Sequence, residues 1–178
     1  NQYTLDEPNV FNGALDRFDW KLVGKKEMYV PYNAFGAYDF QARFEDVARD
    51  DFIVQSHRRY ELHRVWVIEA TVKAGMRHST PKRTVYLDED SWAPVLMDDF
   101  DGQSSLVKMR EGFLVPVYET GTCDVMAMVQ NNLAEGRYVV DSHAIGAGKD
   151  IRWVTEASGP RMRSSFYTAD NLRTISER

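Results

Sequence analysis

The stretch RYELHRVWVIEATVKAG, residues 59–75, decides the fold. It is rich in aromatic and β-branched residues, which favour strands. Apolar side chains recur at every second position from Trp66 to Val72, the period of a half-buried strand, while Val65 and Val67 lie on the other side among polar residues. The apolar side consists of Leu62, Trp66, Ile68, Ala70 and Val72. We therefore predict one long strand that ends at Gly75 and turns this side toward the interior.

Further segments downstream have the same character. Apolar and polar residues alternate, or β-branched residues cluster, in residues 80–87, 92–99, 105–118, 124–130, 137–141 and 150–157. Asp101-Gly102 is a strong hairpin turn signal. The connections are too short for the crossovers that parallel strands require. The sequence therefore predicts a mainly β (α+β) fold, in which a curved antiparallel meander forms a half-barrel.

The ends of the chain add shorter elements. Residues 18–30 alternate around a glycine and predict either two short strands or one bulged strand. Helical spacing of apolar residues predicts a short helix within 40–47 and a terminal helix over 168–176. Thr168 is the candidate N-cap of the terminal helix. We expect these short helices to cover part of the sheet.

Length and composition limit the classes of function. The 178 residues suit one domain, so residues 1–178 are predicted to form a single domain. With 22 basic and 27 acidic residues the formal charge is −5, which does not favour nucleic-acid binding. No apolar run is long enough for a transmembrane segment. The one cysteine, Cys123, cannot form an internal disulfide.

No motif in the sequence predicts catalysis, a metal or a cofactor. The spacing of His57, His63, His78 and His143 matches no familiar metal motif. The acidic residues around 88–101 lie at hairpin ends, where solvated turns are the simpler interpretation. We therefore expect a protein that is not an enzyme and uses no metal or cofactor. An enzyme remains an alternative, and its candidate residues would be His57, Glu61 and His63.

A basic block runs through residues 57–83. Scattered surface charge is the simpler interpretation, because the rest of the chain is acidic. The alternative is contact with an anionic partner such as a lipid head group.

The apolar faces of the predicted strands are rich in methionine and aromatic residues. Methionine suits adaptable binding of hydrophobic ligands. A plain hydrophobic core is the alternative. If the concave face of the sheet binds an apolar ligand, the predicted lining is Trp66, Ile68, Ala70, Val72, Leu96, Met109, Phe113, Val115, Met126 and Met128.

Three strings resemble one bacterial family. They are NGALDRFDWKLVGKKEMYVPYN at 12–33, RYELHRVWVIEATVKAGMRHSTPKRTVYLDEDSWAPVLMDDFDG at 59–102 and FYTADNLRTISER at 166–178. The family is a domain of unknown function whose members are called outer-membrane lipoprotein-sorting-like proteins. More widely, the hairpin VYLDEDSWAPVLMDDFDGQSSLVKM resembles that of the LolA/LolB superfamily of periplasmic lipoprotein carriers.

The resemblance implies a function and a location. It implies a curved antiparallel sheet around an apolar cavity, with no catalytic residues. It also implies an exported protein of Gram-negative bacteria, periplasmic or associated with the outer membrane. Family members are about twice as long, so this chain is expected to be the C-terminal part, with the N-terminal part of the same protein as a partner. The expected ligand is a lipid, an acyl chain or a lipoprotein. The alternative is a sensor or scaffold module that binds a protein partner in the cell envelope.

Overall fold

One antiparallel sheet dominates the computed structural model, which describes residues 4–49, 53–142, 144–156 and 158–176. Its seven strands lie side by side in chain order, as a meander requires. They are β1 (Phe18–Pro31), β2 (Tyr60–Val72), β3 (Lys82–Asp88), β4 (Pro94–Phe100), β5 (Leu106–Val117), β6 (Thr122–Asn132) and β7 (Arg137–Ser142). The predicted antiparallel fold is thus confirmed, and residues 18–31 form one strand with a bulge between Leu22 and Gly24.

Helices are short and lie outside the sheet. The two α-helices are α1 (Phe44–Val47) and α2 (Ala169–Ser176). Single 3₁₀ turns occupy Leu15–Arg17, Phe35–Tyr38, Gln55–His57, Pro160–Met162 and Ser164–Phe166. The predicted cap of α2 is confirmed, because the backbone N–H of Asn171 donates to Oγ1 of Thr168 at 3.2 Å.

The strand predicted over 150–157 is wrong for the described residues 150–156, which form no ladder. Alternation of side chains alone does not make a strand, because a strand also needs a neighbour for its backbone hydrogen bonds. Here the first residue is held differently, since the hydroxyl of Tyr38 donates to the carboxylate of Asp150. Residue 157 lies outside the described residues.

The sheet curls until its first strand approaches its fifth. Val30 of β1 and Val65 of β2 pack in one buried cluster with Val95 of β4 and Leu114 of β5. The backbone N–H of Ala34, just after β1, donates to the carbonyl of Leu114 at 3.0 Å. Bulges increase the local twist of a sheet. Register shifts occur at Leu22/Gly24, Tyr86/Leu87, Asp99/Phe100 and Phe113/Leu114.

Both faces of this sheet are covered. Residues directly opposite one another in a ladder share a face. The first face carries the row Ile68, Val85, Met97, Arg110 and Gln130, and the second face carries the row Val67, Tyr86, Leu96, Glu111 and Val129. Residues 4–17, here called the N-terminal segment, pack on the first face through Val10 and Phe11. Residues 33–49 and 53–57 cover the second face near β5 to β7.

Because both faces of the sheet are covered, the burial of residues in β2 differs from the prediction. The side predicted to face the interior includes Leu62, whose side chain is 59% exposed. Val65, on the opposite side, is wholly buried. The prediction assumed one covered face, whereas each face of β2 is covered over a different part of its length.

The basic block does not form one surface patch. Arg83 is wholly buried. Arg59 pairs with Glu61 at 2.8 Å, and Arg64 pairs with Glu89. Binding of an anionic lipid head group needs a contiguous cationic surface. Residues 57–83 do not form one, because Arg83 is buried and Arg59 and Arg64 are paired with glutamates.

A network of buried charges lies on the first face. The carboxylate of Asp99 has no exposed surface and contacts two arginines, with Nε of Arg83 at 3.0 Å and a direct hydrogen bond from Arg110. Arg110 also donates to the backbone carbonyl of Val10 at 2.7 Å. Buried charges are tolerated only when they are paired. The network therefore ties β3, β4 and β5 to the N-terminal segment.

The N-terminal segment supplies two further carboxylates to this network. Asp6 accepts a hydrogen bond from Arg83. Glu7 is wholly buried and accepts from Nζ of Lys108 at 2.8 Å and from the backbone N–H of Thr4 at 2.8 Å. The segment is thus held to the sheet by directional bonds as well as by apolar contacts.

Hydrogen bonds decide the ionisation of Asp6. Burial would by itself raise the pKa of this carboxyl. The hydrogen bonds from His78 and Thr4, together with the charge and hydrogen bond of Arg83, outweigh burial and hold the pKa of Asp6 well below its usual range. A group with a depressed pKa in the folded state contributes stability above its unfolded pKa.

A first prediction concerns Gly112, which lies under the N-terminal segment. A Cβ at this position would come within 2.7 Å of Val10 Cγ2, 3.0 Å of Val125 Cγ1 and 3.2 Å of the carbonyl oxygen of Pro94. We expect Gly112→Ala to lower the free energy of unfolding by about 1–3 kcal/mol through overpacking. Urea denaturation measures this change. Gly102→Ala is the control, since nothing lies within 4 Å of its Cβ, and an equal loss in both variants would contradict the packing argument.

A second prediction concerns Asp6 and pH. We expect Asp6→Asn to lower the free energy of unfolding at pH 7 by about 1–3 kcal/mol, because Arg83 loses a charged hydrogen-bond partner. The difference in the free energy of unfolding between this variant and the wild type should shrink as pH falls below about 3.9. At this pH the Asp6 carboxyl becomes protonated in the unfolded wild type while it stays ionised in the folded protein. Urea midpoints between pH 7 and pH 3 measure it. Asp19→Asn, an exposed change on β1, should have little effect, and a pH-independent loss for Asp6→Asn would contradict the linkage.

Candidate functional site

An apolar groove of about 430 Å³ lies on the first face, between the N-terminal segment and β1 to β4. We call it the apolar groove. Its lining residues are Phe11, Leu15, Trp20, Ile68, Val85, Leu87 and Pro94. Its volume is within the range of small-molecule sites. Every lining residue is apolar or aromatic, so the groove offers an environment for a hydrocarbon.

The local structure explains why this groove presents so little polarity. The indole Nε1 of Trp20 donates to the backbone carbonyl of Leu15 at 2.7 Å, which satisfies the one polar atom of that side chain. The ring of Phe11 packs edge-to-face against Trp20, with ring centroids 5.5 Å apart. Ile68 and Val85 face each other across the β2–β3 ladder and form the floor. The N-terminal segment and the sheet thus build the groove together.

Two further aromatic residues, Trp66 and Trp92, lie next to the apolar groove on the side where Leu87 lines it. Trp66 lies opposite Leu87 in the ladder. Its ring stacks with Trp92 at a centroid distance of 6.3 Å, and Nζ of Lys25 lies 4.1 Å above it. Trp92 is 65% exposed and has a φ of +59°, an uncommon conformation for a bulky residue. The tight turn after β3 therefore holds a large apolar side chain in solvent next to the groove.

The residues predicted to line a cavity do not share one surface. Trp66, Ile68, Ala70, Val72 and Met128 lie on the first face, whereas Leu96, Met109 and Phe113 lie on the second. Val115 and Met126 are buried and lie beyond the Phe113/Leu114 register shift. The prediction of one common surface is thus wrong. Alternation shows which residues of one strand share a face, but the pairing register decides which face of the next strand continues it. Contact of these residues with a ligand stays a prediction.

Of that predicted set, Ile68 alone lines the apolar groove. The sequence interpretation missed Phe11 and Leu15, because turn-forming residues surround them and hide their apolar character. Trp20 had a signal in the alternation of β1, but a strand pattern cannot show which distant segment covers it.

A second group of side chains meets at the end of β3, on the second face. Nδ1 of His63 lies 2.8 Å from Oδ1 of Asp88 and 3.8 Å from Oδ2 of Asp90. Oε2 of Glu61 lies 3.6 Å from Nε2 of the same ring. His57, which the enzyme alternative grouped with them, has its Nδ1 2.9 Å from a backbone carbonyl oxygen instead. The fold thus unites Glu61 and His63 with acidic residues that sequence spacing keeps apart.

The electrostatic environment of this second group is negative. Burial raises the pKa of the Tyr32 hydroxyl, and Cys123 and the charges of Asp88 and Asp90 raise it further. The ring of Tyr32 stacks on His63, with centroids 4.0 Å apart and planes 27° from parallel. A cation would therefore be favoured here over an anion.

Known proteins are similar in sequence to this chain. Residues 1–173 match the family model described as "Protein of unknown function (DUF1329)". An uncharacterized protein of Pseudomonas aeruginosa is 39% identical over 136 residues, which are 76% of this chain and 30% of that protein. The chain thus spans about a third of the length of that relative.

Two solved structures are also similar. A DUF1329 family protein from Desulfovibrio piger is 17% identical with a TM-score of 0.45, over 70% of this chain and 38% of the other. A domain from Vibrio parahaemolyticus, named for outer membrane lipoprotein sorting, is 11% identical with a TM-score of 0.45, over 74% of this chain and 41% of the other.

In the described part of the chain, the helices are too short or too polar to cross a membrane.

The residue range of the family match decides whether the chain belongs to this family. The family model covers nearly the whole chain, including the N-terminal segment and all seven strands. The chain therefore belongs to the DUF1329 family, whose function is unknown.

Proposed function

We propose that this chain is a non-enzymatic module of the bacterial cell envelope that binds the acyl chain of a lipid or lipoprotein in the apolar groove. One observation carries the proposal: among the described residues, those that line this groove are all apolar or aromatic. Such a surface is costly to leave in contact with water and has no group that could fix a polar substrate.

The energetics of burial favour a hydrocarbon ligand. Each methylene that leaves water contributes about 0.8 kcal/mol. An acyl chain that buries about fifteen methylenes would gain roughly 12 kcal/mol. At least about 4 kcal/mol of this offsets the freedom lost on association, and the remaining ~8 kcal/mol corresponds to micromolar affinity. The expected affinity therefore lies in the micromolar range or somewhat weaker, and it needs no strong polar contact.

The groove also supports the non-enzymatic part of the proposal. None of its lining residues has a titratable side chain that could act as an acid, a base or a nucleophile. The relatives are longer than this chain, so we further propose the remainder of the protein as a partner. A location in the periplasm or at the outer membrane would bring the module to lipids and lipoproteins.

A second candidate function is a scaffold that binds a protein. The first strand, at the edge of the sheet, favours it, because Leu22, Val23 and Tyr29 of β1 are largely exposed. Exposed apolar side chains along an edge strand suit pairing with another chain. This candidate requires no uptake of a lipid.

The third prediction tests the groove with a fluorescent fatty acid. We expect the wild type to bind the probe with micromolar affinity. Leu15→Glu places a charge at the groove, where Leu15 is 66% exposed and so contributes little to the core. This variant should bind the probe at least about tenfold more weakly, because a carboxylate next to hydrocarbon must be desolvated or protonated. A fluorescence titration gives both dissociation constants.

The matched control is Leu172→Glu. Leu172 lies on α2 and is 69% exposed, nearly the same as Leu15. Its replacement adds the same charge away from the groove and should leave binding unchanged. If the wild type takes up no probe, or both variants lose the same affinity, the acyl-chain proposal fails and the scaffold function is the better candidate.

A further inference from the structure

We propose that His63, Asp88 and Asp90, here called the His63 cluster, bind one divalent transition-metal ion of the Zn²⁺ class. Each of the three residues offers one ligand atom, and these atoms lie within 4.8 Å of one another. From the contacts of the imidazole we assign Nδ1 of His63, Oδ1 of Asp88 and Oδ2 of Asp90 as the ligand atoms. One imidazole and two carboxylates form a nitrogen and oxygen ligand set that Zn²⁺ and related ions accept. This site is separate from the apolar groove.

The distances within the cluster suit such an ion. Ligand atoms about 2.1 Å from a tetrahedral Zn²⁺ lie about 3.4 Å from one another. Nδ1 of His63 lies 2.8 Å from the Asp88 oxygen and 3.8 Å from the Asp90 oxygen. Shifts of a few tenths of an ångström would equalise these two separations, and the ligand atoms of Asp88 and Asp90, at most 4.8 Å apart, would need Asp90 to move by up to about 1.4 Å. Asp90 has the freedom to make them, because its side chain is 78% exposed on a turn.

The neighbours of the cluster orient its ligands. Nδ1 of His63 lies at hydrogen-bond distance from the Asp88 carboxylate, so a metal ion would take the place of the proton on Nδ1. Oε2 of Glu61 lies 3.6 Å from Nε2 of His63 and would then face the proton on Nε2. Ser91 donates to Oδ2 of Asp88 through its backbone N–H at 2.8 Å and its hydroxyl at 2.6 Å. These bonds leave Oδ1 directed at His63. Stacking on Tyr32 fixes the plane of the imidazole.

The charge balance of the cluster also calls for a cation. Asp88 is wholly buried. Within the described part of the chain, the ion pairs of Asp88 and Asp90 are with His63 alone, with no lysine or arginine nitrogen within 4.0 Å. Glu89, between them in sequence, differs because Lys25 and Arg64 both pair with it. Lys25 and Arg64 thus do not balance the charges of Asp88 and Asp90, and a divalent ion between these two carboxylates would neutralise them.

The cluster is accessible from solvent. Asp90 and Ser91 line a groove of about 610 Å³ whose other residues come mainly from the β5–β6 hairpin. This groove gives an ion a path to Asp90 and gives water room to complete the coordination. Three protein ligands with water in the fourth position are an arrangement that Zn²⁺ sites in proteins adopt.

The fourth prediction is tested by calorimetric titration of the chelator-treated protein with Zn²⁺. We expect one ion per chain with micromolar affinity. Asp90→Asn should weaken binding at least about tenfold, because an amide is a poorer ligand than a carboxylate. His63→Gln should abolish it. Because Asp90 is exposed, the Asn variant should fold normally, which its urea midpoint without metal will show.

Glu89→Gln is the matched control. It removes the same charge from the same turn, one residue away, without touching the cluster, and should leave Zn²⁺ affinity within about twofold of the wild type. Absence of Zn²⁺ binding to the wild type would overturn the proposal. Equal weakening in Asp90→Asn and Glu89→Gln would also overturn it, since binding would then follow net charge and not coordination. Uptake of the fatty-acid probe is independent of either result.

Discussion

Asp99 has no contact with water, yet it carries a carboxylate between Arg83 and Arg110. Burial raises the pKa of this carboxyl, and the charges of the two arginines oppose the rise. Removal of Asp99 would leave two buried guanidinium groups without their shared counter-charge, and an uncompensated buried charge is among the costliest changes in a protein interior. The position of the N-terminal segment depends on this network, because the same two arginines reach Asp6 and the carbonyl of Val10.

The groove in turn depends on that segment. Phe11 and Leu15 form one wall of it, and they follow Asp6 and Glu7 by only a few residues. Apolar contacts alone would hold the segment to the sheet without fixing its register, since hydrophobic attraction has no direction. Hydrogen-bonded ion pairs do have direction. The buried charges therefore specify where an apolar wall stands, although none of them lines the groove.

The order and type of the strands could be predicted from the sequence because each β segment has its own pattern and its own turn. The sequence signals for an irregularity in β1 and for the Thr168 cap of α2 are also local, because each involves residues that lie close together in the chain. The errors came from interactions between distant segments. The side chain of Leu62 is exposed and that of Val65 is buried because different parts of β2 are covered on different faces. Residues 150–156 alternate but have no ladder partner.

The candidate sites were harder to predict for the same reason. Alternation along each strand predicts the lining set, but the pairing registers between strands place Leu96, Met109 and Phe113 on the face opposite Ile68. The sequence pattern places Arg83 among the charged residues of the surface. Its burial between Asp6 and Asp99 depends on contacts between distant segments, which the sequence does not show. His63 and Asp88 are 25 residues apart in the chain, so no spacing motif could join them. Only the antiparallel pairing of β2 with β3 brings them together.

That same pairing places the two proposed sites back to back. Leu87 faces the first face and borders the apolar groove, whereas Asp88, the next residue, faces the second and belongs to the His63 cluster. The turn that follows carries Asp90 on one side and ends at Trp92, which stacks on Trp66 beyond the groove. A ligand that binds only the folded protein stabilises it by mass action. An ion at the cluster and an acyl chain in the groove would thus stabilise one shared ladder from opposite faces.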